Sequence, residues 1–156
     1  MNNFPIIRVI SKILIPYILL FALYVQFHGD FGPGGGFQAG VIFAAALILY
    51  GLVFGLPSVY EVAPPKVVEK LIALGLVIYA GTGVACMVLQ GNFLDYNQLK
   101  HNTLTDLPAY IGEGTFHFLP SDQHLGIFLV ELGVGITVTA VMTMIFYSFA
   151  GREVVE

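Results

Sequence analysis

The sequence predicts an all-α integral membrane protein with four transmembrane helices and a long outward-facing loop between the third and fourth helices. Hydrophobic residues make up 57% of the 156 residues and charged residues only 10%, whereas soluble domains carry about 25% charged residues. The mean hydropathy is +0.85. Six basic and ten acidic side chains are too few to coat a soluble globule, and they form no basic cluster. Soluble, disordered and nucleic-acid-binding proteins are therefore excluded as classes.

The apolar residues fall into four runs, and a bilayer-spanning helix needs about 20 of them. The first run is long enough only if it includes Arg8 and Lys12, whose long side chains can reach the membrane surface. No small-residue cleavage site follows this run, so we expect a retained helix and not a removed signal peptide. We expect a single transmembrane domain, residues 1–156, with helices at about 6–27, 37–56, 67–89 and 123–150.

The distribution of Lys and Arg predicts the orientation in the membrane. If four helices alternate across the bilayer, five of the six basic residues fall on one side and only Lys100 on the other. Basic residues favour the cytoplasmic side. We therefore expect both termini in the cytoplasm, and residues 29–36 and 90–124 on the outside.

Glu131 is the strongest candidate functional residue. It lies about six residues inside the predicted fourth helix, or roughly 9 Å from its start, where an acid costs about 2.5–3.5 kcal/mol. A spacing of four places Gly135, Thr139 and Thr143 on the same helix face. Carboxylate and hydroxyl oxygens suit Na⁺ or H⁺, so we predict that Glu131, Thr139 and Thr143 line an ion path. The alternative is structural: the acid bonds to a neighbouring helix, and the threonines bond to their own backbone.

A glycine-rich segment separates the first two predicted helices. Three consecutive glycines allow positive φ and close approach of other groups, and the start of the second helix favours anions or carbonyl oxygens. The alternative is a tight turn that only lets the helices pack. We predict that an entrance loop precedes and opens the second helix, formed by Pro33, Gly34, Gly35, Gly36 and Phe37.

His28 and Asp30 lie at the end of the first predicted helix, directly before the glycines. A histidine at this position can relay protons near neutral pH, and we include both residues in the predicted ion path. An interfacial hydrogen bond to a loop is the structural alternative for His28.

Small residues recur every four positions, which lets helix backbones approach closely. The stripes are Gly36, Gly40 and Ala44; Gly51 and Gly55; and Gly81 and Ala85. Four helices need not use every such face, so these stripes favour contacts with partner subunits as well.

Residues 28–40 read His-Gly-Asp-Phe-Gly-Pro-Gly-Gly-Gly-Phe-Gln-Ala-Gly. This stretch resembles the B-type small subunit of the Mrp family of multisubunit Na⁺/H⁺ antiporters, also called Mnh or Sha, in which a histidine near the end of helix one precedes Pro-Gly-Gly-Gly-Phe. Thr-Gly-Val at 82–84 and Leu-Val-Glu-Leu-Gly-Val at 129–134 are similar too. The resemblance covers all four predicted helices.

The resemblance implies a small subunit of a Na⁺/H⁺ antiporter complex in a prokaryotic cell membrane. Such a subunit helps form the cation path and holds the complex together. Its partners are other membrane subunits, including large antiporter-like ones related to those of respiratory complex I. Similar subunits occur in the sodium-translocating module of membrane-bound hydrogenases, so that host remains a second interpretation.

Other functional classes are less well supported. The sequence contains no nucleotide-binding loop, catalytic-triad order, zinc pattern or haem motif. We therefore expect no enzyme, no resident metal and no cofactor, only transported Na⁺ and H⁺. A purely structural assembly subunit is the main rival. An enzyme using His28 and Asp30 is a third interpretation, for which no nucleophile or metal pattern is visible.

Overall fold

The computed structural model describes residues 5–29, 33–88, 92–96 and 123–152, with the backbone alone at 123–125. The described helices are α1 (Pro5–His28), α2 (Gly36–Phe54), α3 (Leu56–Val62), α4 (Pro65–Val88) and α5 (Gln123–Ala150). All but α3 are long and apolar enough to cross a membrane. The prediction of an all-α membrane protein with four spanning helices and a long loop before the last is confirmed.

The chain turns sharply at Gly55, where we expected the second helix to continue to residue 56 and a plain link to follow. Gly55 has a φ of +91°, which favours glycine because it has no Cβ, and α2 ends at the residue before it. Pro57 lies in the first turn of α3, where its missing N–H costs nothing. Gly55 therefore interrupts the helix and does not extend the packing stripe that starts at Gly51.

The helix α5 lies at the centre of the bundle. It packs along α4 on one side and along α2 on the other, while α1 packs on α2 and touches α5 only briefly. Large apolar side chains remain exposed along the spanning helices, for example Val77 at 66% and Phe149 at 78%. Lipid or partner subunits must cover this surface, because water would be an unfavourable neighbour for it.

Contacts between helices show their relative directions. Gly36 near the start of α2 lies against Glu131, and Gly51 near its end lies against Phe146, so α2 and α5 run parallel. The side chains of Arg8 and Lys12 lie over the Phe54 ring, 5.4 and 5.7 Å from its centroid. Early α1 therefore meets late α2, and these two helices are antiparallel. The end of α1, the start of α2 and the first half of α5 consequently meet at one end of the bundle.

Glycines make the close helix contacts. A methyl group on Gly75 of α4 would lie 2.6 Å from the carbonyl oxygen of Gly133, and one on Gly133 would lie 2.9 Å from that of Gly75. Between α2 and α5, a methyl group on Gly40 would lie 2.7 Å from the Gly135 carbonyl oxygen. Gly81 differs, because a methyl group there meets nothing within 4 Å among the described residues. That face of α4 is free of contacts from the described part of the chain.

The opposite end of the bundle is closed by tyrosines, and we call Tyr60, Ala63 and Tyr147 the tyrosine end. The Tyr147 hydroxyl donates a 2.8 Å hydrogen bond to the carbonyl oxygen of Ala63. The rings of Tyr60 and Tyr147 meet edge to face with centroids 4.9 Å apart. Val59 and Val68 are almost fully buried beside them. This end joins α3 and the start of α4 to the end of α5.

Candidate functional site

The Glu131 carboxylate is surrounded by glycines from the end of α1 and the start of α2. A methyl group on Gly29 would lie 2.6 Å from Oε2 and 2.7 Å from Oε1, and one on Gly35 would lie 3.1 Å from Oε1. A methyl group on Gly36 would overlap the backbone carbonyl of Glu131 itself. We call Gly29, Gly35, Gly36 and Glu131 the glycine end. The carboxylate and the glycine-rich segment, which the sequence singled out separately, are therefore in contact.

The backbone of the glycine-rich segment folds onto the end of α1. The Gly35 N–H donates a 3.3 Å hydrogen bond to the Val25 carbonyl oxygen, and a methyl group on Gly34 would lie 2.8 Å from that same oxygen. Gly35 has a φ of +122°, a conformation in which a side chain would be strained. Glycine at 34 and 35 is what allows the segment to pass between α1 and α5.

The Glu131 carboxylate also lies beside the amino end of α2. Gly35 is the N-cap residue of α2 and has no side chain to cap it, and the first turn of α2 contains no acid. Helix amino ends carry free N–H groups and a partial positive charge, worth about 0.3–2 kcal/mol to a nearby anion. That range offsets much of the roughly 2.5–3.5 kcal/mol cost of an acid in a spanning helix. The anion expected at the start of the second helix is thus the chain's own Glu131.

Gln26 lies one turn of α1 before the glycine end and is 5% exposed. Its Oε1 would lie 2.7 Å from a methyl group on Gly135, the residue one turn after Glu131 on α5. Its Nε2 is buried and has no hydrogen-bond partner among the described residues. A buried donor without a partner costs about 1–3 kcal/mol, so Gln26 is an expensive residue at this position.

A cavity of about 290 Å³ lies between α1, α2, α4 and α5. Its polar side chains are Gln26 and Thr139, with Gly135 between their levels. The remaining lining is apolar: Leu23, Phe27, Phe43, Leu71, Phe128, Leu132 and Ile136. Mostly apolar walls with a few convergent polar groups are typical of binding cavities.

Both threonine hydroxyls of the predicted path donate to backbone oxygens. Thr139 Oγ1 lies 2.7 Å from the Gly135 carbonyl oxygen and 3.1 Å from that of Gly40. Thr143 is 1% exposed, and its hydroxyl donates to the Thr139 carbonyl oxygen at 2.7 Å. Their oxygens keep acceptor capacity. The predicted stripe does share one face of α5, which is turned towards α1 and α2, whereas Thr137 contacts Gly75 of α4.

The other predicted site residues lie apart from the carboxylate. The His28 ring stacks on Tyr24 with centroids 5.2 Å apart, and Tyr24 is 59% exposed. Asp30 lies outside the described residues. Pro33 and Phe37 are exposed and line a second cavity of about 470 Å³ along the outer side of α1 and α2. Within the predicted entrance loop, the structure brings Gly35 and Gly36 to Glu131, but Pro33 and Phe37 to this other surface.

Two residues of this region were not predicted from the sequence. Gln26 is the only amide in α1, and an amide near the end of an apolar run was a usable signal. Gly29 had no local signal, because its contact with Glu131 depends on the approach of α5. In the part of the chain that the structure describes, no group of three or more His, Cys, Asp or Glu side chains is arranged to hold a metal ion.

Four long apolar helices that carry a carboxylate against a glycine-rich segment define a multi-pass membrane protein with one polar site at one end of its bundle. Residues 6–144 match the family described as the domain related to the MnhB subunit of Na⁺/H⁺ antiporters. The chain belongs to this family, as the resemblance indicated.

Relatives support the same assignment along nearly the whole chain. The chain is 33% identical to antiporter subunit mnhB2 of Staphylococcus haemolyticus over 97% of its own length and 98% of the relative. It is 32% identical to the MnhB-type Na⁺/H⁺ antiporter protein of Alkalihalophilus pseudofirmus, covering 88% of this chain and 90% of the relative. It is also 30% identical to an mnhB2 subunit of Staphylococcus aureus over 96% of each chain.

Proposed function

We propose that this chain is a small membrane subunit of a multisubunit Na⁺/H⁺ antiporter, and that Glu131 lies on the route of the transported cation. The observation that carries the proposal is the contact of the Glu131 carboxylate with Gly29 and Gly35 at one end of the bundle. Family membership and the names of the relatives support the antiporter assignment. Acids in spanning helices normally face a partner, a cavity or an ion route.

In this mechanism Glu131 attracts the cation, while the amino end of α2 stabilises the charge of the carboxylate without binding it so tightly that the cation cannot leave. Thr139 and Thr143 offer oxygen atoms deeper along the same face of α5. Transport is driven by the gradient of the other ion, and one elementary charge is worth about 2.3 kcal/mol per 100 mV. The exchange requires no cofactor.

The partners in this proposal are the other membrane subunits of the complex, including large antiporter-like subunits that carry protons. Exposed apolar side chains along the spanning helices provide surfaces for them and for lipid. We further propose a prokaryotic cytoplasmic membrane, with both termini in the cytoplasm and residues 29–36 outside, from the distribution of Lys and Arg. The glycine end then faces outward.

The test is a Glu131 series in the whole complex, reconstituted into vesicles and followed by Na⁺-dependent proton flux. Glu131→Ala removes the charge and should abolish flux while the subunits stay together. Glu131→Asp keeps the charge and should retain flux. Full flux in the alanine variant would disprove the route.

The same series separates the rival function of a structural assembly subunit. That function is favoured by one specific observation: Glu131 lies at the amino end of α2, as a helix-capping acid would. If Glu131 only fastens helices, Glu131→Ala should release subunits from the purified complex. Subunit stoichiometry should therefore be measured on the same samples as flux.

A further inference from the structure

We propose that Gln26 is a further residue of the cation route, binding the hydrated monovalent cation in the cavity one helical turn beyond Glu131. This inference rests on the proposed function and extends it from the glycine end into the bundle. The carboxamide of Gln26 and the hydroxyl of Thr139 form the polar side of the cavity, and apolar side chains form the rest.

The order of residues along the helices places Gln26 next after Glu131. On α5, Gly135 follows Glu131 by four residues, which is about 6 Å along the axis, and Thr139 follows by another four. On antiparallel α1, Gln26 precedes Gly29 by three residues. Because Gly29 contacts the Glu131 carboxylate and Gln26 contacts Gly135, the polar groups occur at successive depths.

The unsatisfied Gln26 amide indicates a ligand. Its Nε2 is buried without a hydrogen-bond partner among the described residues, although the residue lines a cavity with room for several water molecules. A water molecule held there can accept from Nε2 and donate to Thr139 Oγ1, whose own proton is used by the Gly135 carbonyl oxygen. Rotation of the carboxamide presents Oε1 to a cation in place of that water.

A purely structural role predicts the opposite of a transport role when Gln26 is replaced. An amide that only packs against Gly135 leaves a buried donor unsatisfied, so leucine of similar size should serve as well or better. A ligand-binding amide cannot be replaced by leucine without loss of function. Gln26→Leu therefore separates the two roles by direction.

The experiment measures flux in the reconstituted complex as the Na⁺ concentration is varied. Gln26→Leu should raise the Na⁺ concentration for half-maximal flux about tenfold, the effect of one lost polar contact, with unchanged subunit stoichiometry and equal or higher thermal stability. Leu132→Met, a volume-conserving change in the apolar wall of the same cavity, should leave the Na⁺ dependence unchanged. Wild-type Na⁺ dependence in Gln26→Leu would overturn the inference.

Two further measurements keep the test decisive. If Glu131→Ala abolishes flux and Gln26→Leu does not, only this inference fails; if neither variant changes flux, the proposed function fails as well. If Gln26→Leu does not assemble, Ile136→Cys in a Cys86→Ala background decides. A small cationic thiol reagent should label a hydrated cavity at residue 136, and absence of labelling would overturn the inference.

Discussion

The two ends of the bundle are built in opposite ways. At the tyrosine end, the polar group of Tyr147 has a hydrogen-bond partner in Ala63, and bulky rings fill the space. At the glycine end, the space is made by residues without side chains, and a carboxylate occupies it. The first arrangement is typical of a structural joint. The second keeps a charge inside the bundle at a cost, which is typical of a functional site.

Gly36 offers the largest expected effect on this contrast. Gly36→Ala would place a methyl group on the backbone of Glu131, and the backbone cannot move aside as a flexible side chain can. We expect a loss of about 1–3 kcal/mol or more, as for overpacked cores, together with loss of flux. The measurement is the temperature at which the purified complex loses this subunit. An unchanged temperature would mean that α2 and α5 are not joined as closely as described.

Tyr147 tests the other end with a smaller effect. Tyr147→Phe removes the hydrogen bond to the Ala63 carbonyl oxygen and keeps the ring packing. We expect a loss of about 0.5–1.5 kcal/mol in stability and wild-type flux per assembled complex. Reduced flux at full assembly would contradict the division between a structural end and a functional end.

Gly81 provides the smallest effect and the matched control for Gly36. The substitution Gly81→Ala is chemically the same, but the new methyl group meets nothing within 4 Å among the described residues. Alanine is favoured over glycine inside helices, so we expect a change between zero and a gain of about 1 kcal/mol. The same thermal assay of the complex measures it. A clear loss would instead identify this face of α4 as a contact with a partner subunit.

The sequence was sufficient to predict the spanning helices, because four apolar runs in 156 residues leave few other folds. It also identified Glu131 and the glycines, since an acid in an apolar run and three successive glycines are visible locally. Their contact was not predictable, because it depends on how α5 packs against α1 and α2. For the same reason Gln26 and Gly29 were missed.

The break at Gly55 shows the same limit on a smaller scale. The sequence placed Gly55 in a four-residue stripe with Gly51, and only Gly51 packs against another helix, at Phe146. A glycine that permits close packing and a glycine that permits a positive φ look alike in a sequence. The neighbouring Pro57 was the available signal that a new helix starts there.

The overlap that any side chain at Gly36 would create has a mechanical consequence. Since α2 meets the peptide of Glu131 without clearance, these two helices can neither slide nor rotate past each other at that point. Helix α1 is held less firmly, because it touches α5 only briefly and contains Pro16, which removes one backbone hydrogen bond from its ladder. Any widening of the space around the carboxylate must therefore come from a tilt of α1.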